Sequence, residues 1–366
     1  MAKRIICTVT NDLSYDQRMQ RVARTLVKAG YEVTLLGRVL PNSKPLVEEP
    51  FGQIRMRCYF QKGFLFYGEY NLRLCWKLLW MRFDAVCTVD LDTLPAGCIA
   101  SVLRRKKRVF DAHEYFTEVP EVVNRPFVKA FWGLVARVFL PFYRHAYTVG
   151  PSLARLFTEK YHIRFEVVRN VPFARVRTSD KELQKEKILL YQGALNEGRG
   201  IEAMLEAMTL LEGVQLWLAG EGDLSQFLRE KADVLGLHDK VRFLGYVDPR
   251  ALKDLTEQAW LGLNLLENKG LSYYYSLANK FFDSVQAFVP VLTVDFPEYR
   301  DLNAQYEVAV LLPDIQPNTV AAAIQHLLSE EDYYNQLKVN CMEASKSWIW
   351  ENEQQVMLKL WADVMK

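Results

Sequence analysis

Residues 5–36, IICTVTNDLSYDQRMQRVARTLVKAGYEVTLL, decide the fold. Ile5 to Val9 is a short apolar, β-branched run that reads as a strand. Met19, Val22, Ala23 and Leu26 follow at i, i+3, i+4 and i+7, the spacing of one helical face. Gly30 stops that helix, because glycine adopts the left-handed conformation of a helix end without a Cβ penalty. Val33 to Leu36 is the next strand. Strand, helix and strand in this order form a β-α-β unit, the building block of a parallel sheet covered by helices.

The same alternation continues on either side of residue 170. Ala85 to Val89, Val109 to Phe110 with Asp111 at its end, Tyr147 to Val149, and Val167 to Val168 read as further strands. The pattern restarts after Asn170-Val171-Pro172 and the polar stretch Arg175 to Glu186. Strands then follow at Ile188 to Gln192, Val214 to Ala219, Val241 to Leu244, Leu261 to Leu266 and Val291 to Thr293. Helices are predicted at Ile201 to Leu211 and near Ala278 to Phe288. At 366 residues and 42.5 kDa the chain exceeds what one core usually organises. The expectation is an α/β fold of two doubly wound parallel-sheet (Rossmann-like) domains facing a cleft, 1–169 and 170–345. A last helical segment, 346–366, crosses back to the first domain.

Half the residues are apolar and a quarter charged, which excludes a disordered chain, a fibrous repeat and a small disulfide scaffold. The net charge of +2 conceals an asymmetry. Residues 1–170 hold 27 Lys+Arg against 15 Asp+Glu, and residues 171–366 hold 19 against 29. Halves of opposite sign predict different partners, with an anionic one for the first. The six cysteines form no C-x-x-C, and no His stands at metal-ligand spacing, which predicts a reducing, cytoplasmic compartment. No h-region follows Met1-Ala2-Lys3-Arg4. No run reaches the roughly 18 uncharged apolar residues of a membrane span, and the longest, Phe131 to Tyr143, is broken by Arg137. An acidic second half without a recognised module argues against nucleic acid.

Ligands of open α/β sheets bind beyond the carboxyl ends of the strands, so four loops matter. In Asn11 to Arg18, Asp12 or Ser14 can cap the helix, or Asn11 and Asp12 can contact an acceptor. The loop is not G-x-G-x-x-G, which disfavours a nicotinamide dinucleotide. Asp111-Ala112-His113-Glu114 ends a strand with groups that can bind sugar hydroxyls or handle a proton, or with a locally satisfied histidine. Gly193 to Gly200 lets backbone approach phosphate oxygens and offers Arg199 as a forked donor. In Leu271 to Asp283 a polar aromatic loop enters a helix with Lys280 in its first turn, a seat for a diphosphate, and Asp283 one turn on can take a ribose diol. Asp90-Leu91-Asp92 matches a D-x-D metal pattern too short to decide anything, and no metal is expected. Arg104 to Arg108 reads as a solvated helix end or an anionic-lipid contact. Phe64, Phe66, Trp76 and Trp80, in the aromatic stretch Tyr59 to Phe83, pack against the sheet or serve the same membrane contact.

Taken in order, these segments resemble the retaining glycosyltransferases of family 4, which have the GT-B fold. The resemblance covers essentially the whole chain. NDLSYDQRMQRVARTLVKAGYEVTLLGR looks like the first β-α-β unit of bacterial members and VFDAHEYF like the family's "HE" segment. YQGALNEGRGIEAML, LAGEGDL, VRFLGYV and SLANKFFDSVQAFVPVL follow the donor-domain series. The resemblance implies transfer of a hexose-type sugar from a nucleotide-diphosphate-sugar to a saccharide or lipid-linked acceptor. It implies retention by front-face transfer, with no metal and no cofactor. The setting it implies is cytoplasmic polysaccharide and cell-envelope biosynthesis, and the basic first half, the run Arg104 to Arg108 and the aromatic stretch Tyr59 to Phe83 fit peripheral contact on the inner face of an anionic membrane.

Donor binding falls to the second domain and acceptor binding to the first. His113, Arg199 and Lys280 take the catalytic positions. Gly193, Gly220, Glu221, Phe243, Tyr246, Ser276, Leu277, Asn279 and Asp283 take the donor positions. Asn11, Asp12, Glu114 and Tyr275 face the acceptor or the sugar. The chain departs from the family where Tyr275 and Asp283 replace two glutamates eight positions apart, where Ala194 stands for an arginine, and where Asn11-Asp12 replaces a glycine pair. The missing first glutamate leaves two rival readings open: a non-catalytic nucleotide-sugar-binding subunit, and an epimerase or hydrolase on the same fold.

Overall fold

A computed structural model describes every residue except Met1, Tyr15, Asn42 and 176–186, so most of the polar stretch Arg175 to Glu186 lies outside the described residues. The chain forms two compact units, 1–169 with 353–366, and 170–352.

Unit 1 runs β1 (Arg4–Thr8), α1 (Gln17–Lys28), β2 (Glu32–Arg38), β3 (Gly52–Met56), α2 (Gly63–Trp80), β4 (Ala85–Val89), α3 (Asp90–Leu103), β5 (Lys107–Ala112), α4 (Pro120–Val123), α5 (Pro126–Phe139), β6 (Ala146–Thr148), α6 (Pro151–Tyr161) and β7 (Phe165–Val167). Its sheet has the order β3-β2-β1-β4-β5-β6-β7, and every pairing is parallel. All five residues of the central strand β4 are buried, as expected of a parallel strand covered on both faces. On one face α2 and α3 close a core of Ile6, Leu36, Tyr70, Leu74, Val86 and Ala100.

Unit 2 runs β8 (Lys187–Gln192), α7 (Ile201–Met208), β9 (Val214–Ala219), α8 (Ser225–Val234), β10 (Val241–Gly245), α9 (Pro249–Gln258), β11 (Leu261–Asn264), α10 (Leu271–Tyr274), α11 (Asn279–Gln286), β12 (Val291–Val294), α12 (Pro297–Gln305), β13 (Ala309–Leu312), α13 (Pro317–Ser329) and α14 (Glu331–Ser347). Its strands pair in parallel in the order β10-β9-β8-β11-β12-β13. The last helix, α15 (Trp350–Met365), begins in unit 2 and from Glu353 counts with unit 1.

Each sheet is doubly wound, and strand order reverses between β1 and β4 in unit 1 and between β8 and β11 in unit 2. At such a reversal the loops leaving the two strands diverge to opposite faces and open a crevice at their carboxyl ends. The four loops singled out from the sequence follow β1, β5, β8 and β11.

Several local expectations change. Two strands, β3 and β13, were not anticipated. The helix placed near Ala278 to Phe288 is α11, Asn279–Gln286, and the aromatic loop before it contains the short helix α10. The cap of α1 is Asp16, which accepts from the Met19 amide at 3.0 Å, rather than Asp12 or Ser14. Of the four aromatic residues read as packing against the sheet or serving a membrane contact, Phe66 is buried, and Phe64, Trp76 and Trp80 are exposed.

Candidate functional site

In unit 1 the loops after β1, β4 and β5 carry a cluster of ionisable groups. Asp111, the fifth residue of β5, is fully buried and accepts from Arg18 Nη2 at 3.2 Å. Arg18 lies on α1 and also donates to the Val168 carbonyl. The His113 ring places Nε2 3.0 Å from Asp111 Oδ2 and Nδ1 4.0 Å from Asp90 Oδ2. The His113 amide donates to Asp90 Oδ1 at 2.8 Å. Asp90, the first residue of α3, holds φ = 52°, a left-handed conformation that costs a non-glycine residue energy. That conformation turns its carboxylate back toward the β5 loop.

The electrostatics follow from burial and neighbours. Burial disfavours the charged imidazole of His113, but Asp111 and Asp90 outweigh it and raise the group above its ordinary value. Burial also works against the Asp111 carboxylate, yet Arg18 and His113 hold it below the usual range. Burial, with Glu114 and Asp92 nearby, pushes Asp90 well above that range, and Asp92 is pushed up to about 6. Because the Asp111 carboxylate stays ionised and can only accept, the His113 Nε2 beside it carries a proton and donates to it. Arg18, Asp111 and Asp90 complete the constellation, and sequence reasoning gave the two aspartates other meanings and passed over Arg18.

Asn11 and Asp12 behave differently from each other. Asp12 is buried and spends its carboxylate on Arg55 (3.1 Å), Ser14 and Ser43, so it shapes its own loop instead of facing outward. Asn11 is exposed and donates to Asp16 at 3.3 Å.

Unit 2 brings Arg199 and Lys280 together at its strand-order reversal. Arg199 leaves the β8 loop with its guanidinium 4.8 Å from the Tyr273 ring centroid. Lys280 enters from the second position of α11 with Nζ 3.7 Å from the Tyr191 ring centroid. A Cβ built on Gly193 would stand 3.5 Å from that nitrogen, so the ammonium lies against the loop backbone. Neither cation forms an ion pair among the described residues, and the Arg199 Nε–H is buried without a partner. Burial, with Arg199 beside it, pushes Lys280 well below its ordinary 10.5. Two close cations without a carboxylate, over electron-rich ring faces, make a site for an anion of at least two charges.

The backbone is shaped to the same end. A Cβ on Gly220 would fall 1.8 Å from the Gly193 carbonyl oxygen, so only glycine lets the β9 loop lie on the β8 loop. α11 begins at Ala278, whose side chain cannot cap it; the Ala278 amide itself donates to the Tyr299 hydroxyl at 3.0 Å. Ser276 turns inward, its hydroxyl on the Tyr273 carbonyl, and Leu277 is buried. Asn279 accepts from Asn170 at 2.7 Å.

Asp283 accepts from Gln192 Nε2 at 3.1 Å, and Gln192 in turn accepts from Thr256, which fixes the carboxylate at the end of β8. Glu221 is half exposed and paired with Arg229 at 2.7 Å, and the Arg229 guanidinium also covers the Phe243 ring. Tyr246 is exposed, and Tyr275 packs edge-on against Tyr274. Glu114 stands in the unit 1 cluster. Tyr191 and Tyr273, which carry the two cations, were missed, because nothing in a sequence distinguishes a tyrosine under a cation from one in the core.

Residues 174–344 match the family model of glycosyl transferases group 1. An uncharacterized glycosyltransferase of Methanocaldococcus jannaschii is 39% identical over 77 residues, 20% of this chain and 20% of that protein. The lipopolysaccharide core biosynthesis glycosyltransferase LpsE of Rhizobium meliloti is 36% identical over 61 residues, 17% of this chain and 18% of that protein. The matched stretch therefore spans about a fifth of these curated relatives. Among solved structures, Anabaena HepE in complex with UDP and glucose superposes with a TM-score of 0.79 at 13% identity, over 99% of this chain and 100% of the other. Both units thus have the Rossmann-like architecture of GT-B glycosyltransferases.

Proposed function

From a chain whose residues 174–344 belong with glycosyl transferases group 1 on a GT-B fold, we propose a retaining transferase of hexose-type sugars, using a nucleotide-diphosphate-sugar donor and a saccharide or lipid-linked acceptor. The observation that carries this reading is the pair Arg199 and Lys280, unneutralised at the strand-order reversal of unit 2. Breaking a sugar–phosphate bond builds negative charge on the departing diphosphate. In this reading Arg199, Lys280 once the bound diphosphate restores its charge, and the start of α11 stabilise that charge from fixed positions. These groups supply positive charge without a metal, so we take the reaction to be metal-independent. Asp283, held by Gln192, is the ribose ligand in this reading, and the Phe243 to Tyr246 segment lies by the base.

Unit 1 supplies the acceptor side. His113, oriented by Asp111, binds sugar hydroxyls, with Glu114 next to it in the β5 loop and Asn11 in the β1 loop. Front-face transfer, in which the leaving phosphate takes the acceptor proton, is what the family resemblance implies for such a site. The setting that fits is cytoplasmic synthesis of an envelope polysaccharide, a reading supported by the similarity to LpsE.

The test is incubation of the protein with a panel of nucleotide-hexoses and saccharide or lipid-linked acceptors, with the product anomer read by NMR. A product of unchanged anomeric configuration, formed equally with EDTA, is expected. Donor consumed without acceptor would indicate an epimerase or hydrolase, and binding without any turnover would indicate a non-catalytic subunit.

A further inference from the structure

Of the residues of α2 only Glu69, Arg73 and Lys77 are charged, and the helix buries one side. Phe66, Tyr70, Leu74 and Leu78 face the core, while Leu65, Leu72, Trp76 and Trp80 are each more than half exposed. Large apolar side chains grouped on a solvent-facing side mark a surface for another partner or a membrane. The neighbours of α2 repeat the pattern. α3 packs on α2 and α5 packs on α3, and they expose Leu103 on one and Phe131 and Leu134 on the other. Phe64 and Phe131 join α2 to α5 with ring centroids 5.1 Å apart. Fifteen of the 25 exposed large apolar side chains among the described residues fall between Tyr59 and Phe142. Scattered exposed leucines need no explanation, but one contiguous concentration does.

The charges around this face have one dominant sign. Between Arg57 and Arg144 the sequence has 14 Lys+Arg and eight Asp+Glu. Of the acids, Asp92 and Asp111 are buried, and Glu69, Asp84 and Glu118 are paired with Arg73, Lys106 and Lys129. Arg105, just past the end of α3, and Lys107, the first residue of β5, are exposed to water. Tryptophan rings flanked by arginine and lysine are the composition of a surface at a lipid headgroup layer. A second copy docking by the same face would set basic residues against basic residues. No helix among the described residues is long and apolar enough to cross a membrane.

We propose that the outward face of α2, α3 and α5 docks on the surface of an anionic lipid bilayer. The face reaches the unit 1 cluster through Tyr67, Trp132 and Phe116, whose rings stack edge-on at 5.0 and 4.9 Å just beyond His113 and Glu114. Docking therefore brings the acceptor loops to the membrane plane, where a lipid-linked saccharide presents its sugar. This last step rests on the transferase reading; the docking itself does not.

Flotation of the full chain with phosphatidylcholine vesicles, with and without phosphatidylglycerol, tests it. The protein should float only with the anionic vesicles and be released by high salt, because surface attraction to basic residues is screened. W76S/W80S, which changes only exposed rings, should lose flotation while keeping its melting temperature, and R105Q/K107Q should weaken it. Absence of flotation, equal flotation on uncharged vesicles, or undiminished flotation of W76S/W80S would overturn the proposal. So would a dimer in sedimentation that W76S/W80S dissociates. A nucleotide-induced melting shift without flotation removes the membrane face alone, and flotation without such a shift removes the transferase reading alone.

Discussion

Lys280 sits over the Tyr191 ring with Arg199 as its charged neighbour, and burial beside that cation lowers its pKa. An incoming diphosphate reverses that balance and restores the charged form. Donor binding is therefore predicted to take up a proton, more so as pH rises. Titration calorimetry in buffers of different ionisation enthalpy reads this directly, and the uptake should vanish in Lys280→Met. In unit 1 the buried Arg18–Asp111 pair behaves as a buried ion pair does when one partner is removed. Arg18→Met is expected to cost about 3–5 kcal/mol in urea denaturation. His113 has its folded pKa raised above the unfolded 6.5, so its contribution is complete below 6.5 and is lost as pH climbs through the raised value. His113→Gln should flatten that part of the stability profile.

At the scale of elements, the reading of residues 5–36 carried most of the fold, because α1 buries a single face and so displays its period openly. The misses have local causes. β3, GQIRM, is an edge strand with no β-branched run, and its pairing with β2 rather than its composition makes it a strand. α2 gave no clear periodic signal because Leu65, Leu72, Trp76 and Trp80 stand on its solvent face beside Arg73, so apolar residues are not confined to the core face. Asp12 and Ser14 read as the caps of α1 in sequence, but Asp12 is claimed by Arg55, 43 residues away, and Asp16 caps the helix. The candidate site divides similarly. Arg199, Lys280 and Asp283 were legible from loop chemistry and order, whereas the side chains they rest against, Tyr191, Tyr273 and Gln192, were not. Gly220→Ala belongs at this scale. Its Cβ meets backbone and not a flexible side chain, so the β8 loop must shift. Nucleotide binding should be lost while far-UV dichroism stays unchanged.

Across the whole molecule the chain passes between its units at 169/170 and again at 352/353. Glu353, buried, receives the Arg169 amide, Nε and Nη2 at 2.6 to 2.8 Å and ties α15 to the end of β7. Glu353→Ala is predicted to lower the melting temperature and to cost about 1–3 kcal/mol, the penalty of buried donors left unpaired. Ligand that binds only the native molecule must raise its melting temperature, which makes thermal melting the direct probe of the donor site. The decisive measurement is a panel of nucleotides and nucleotide-sugars, with and without EDTA, on wild type and Arg199→Ala. The account predicts an EDTA-insensitive upward shift with a diphosphate nucleotide or its sugar ester, absent with the nucleoside and abolished in Arg199→Ala. A panel without any shift, or a shift that Arg199→Ala retains, would contradict it.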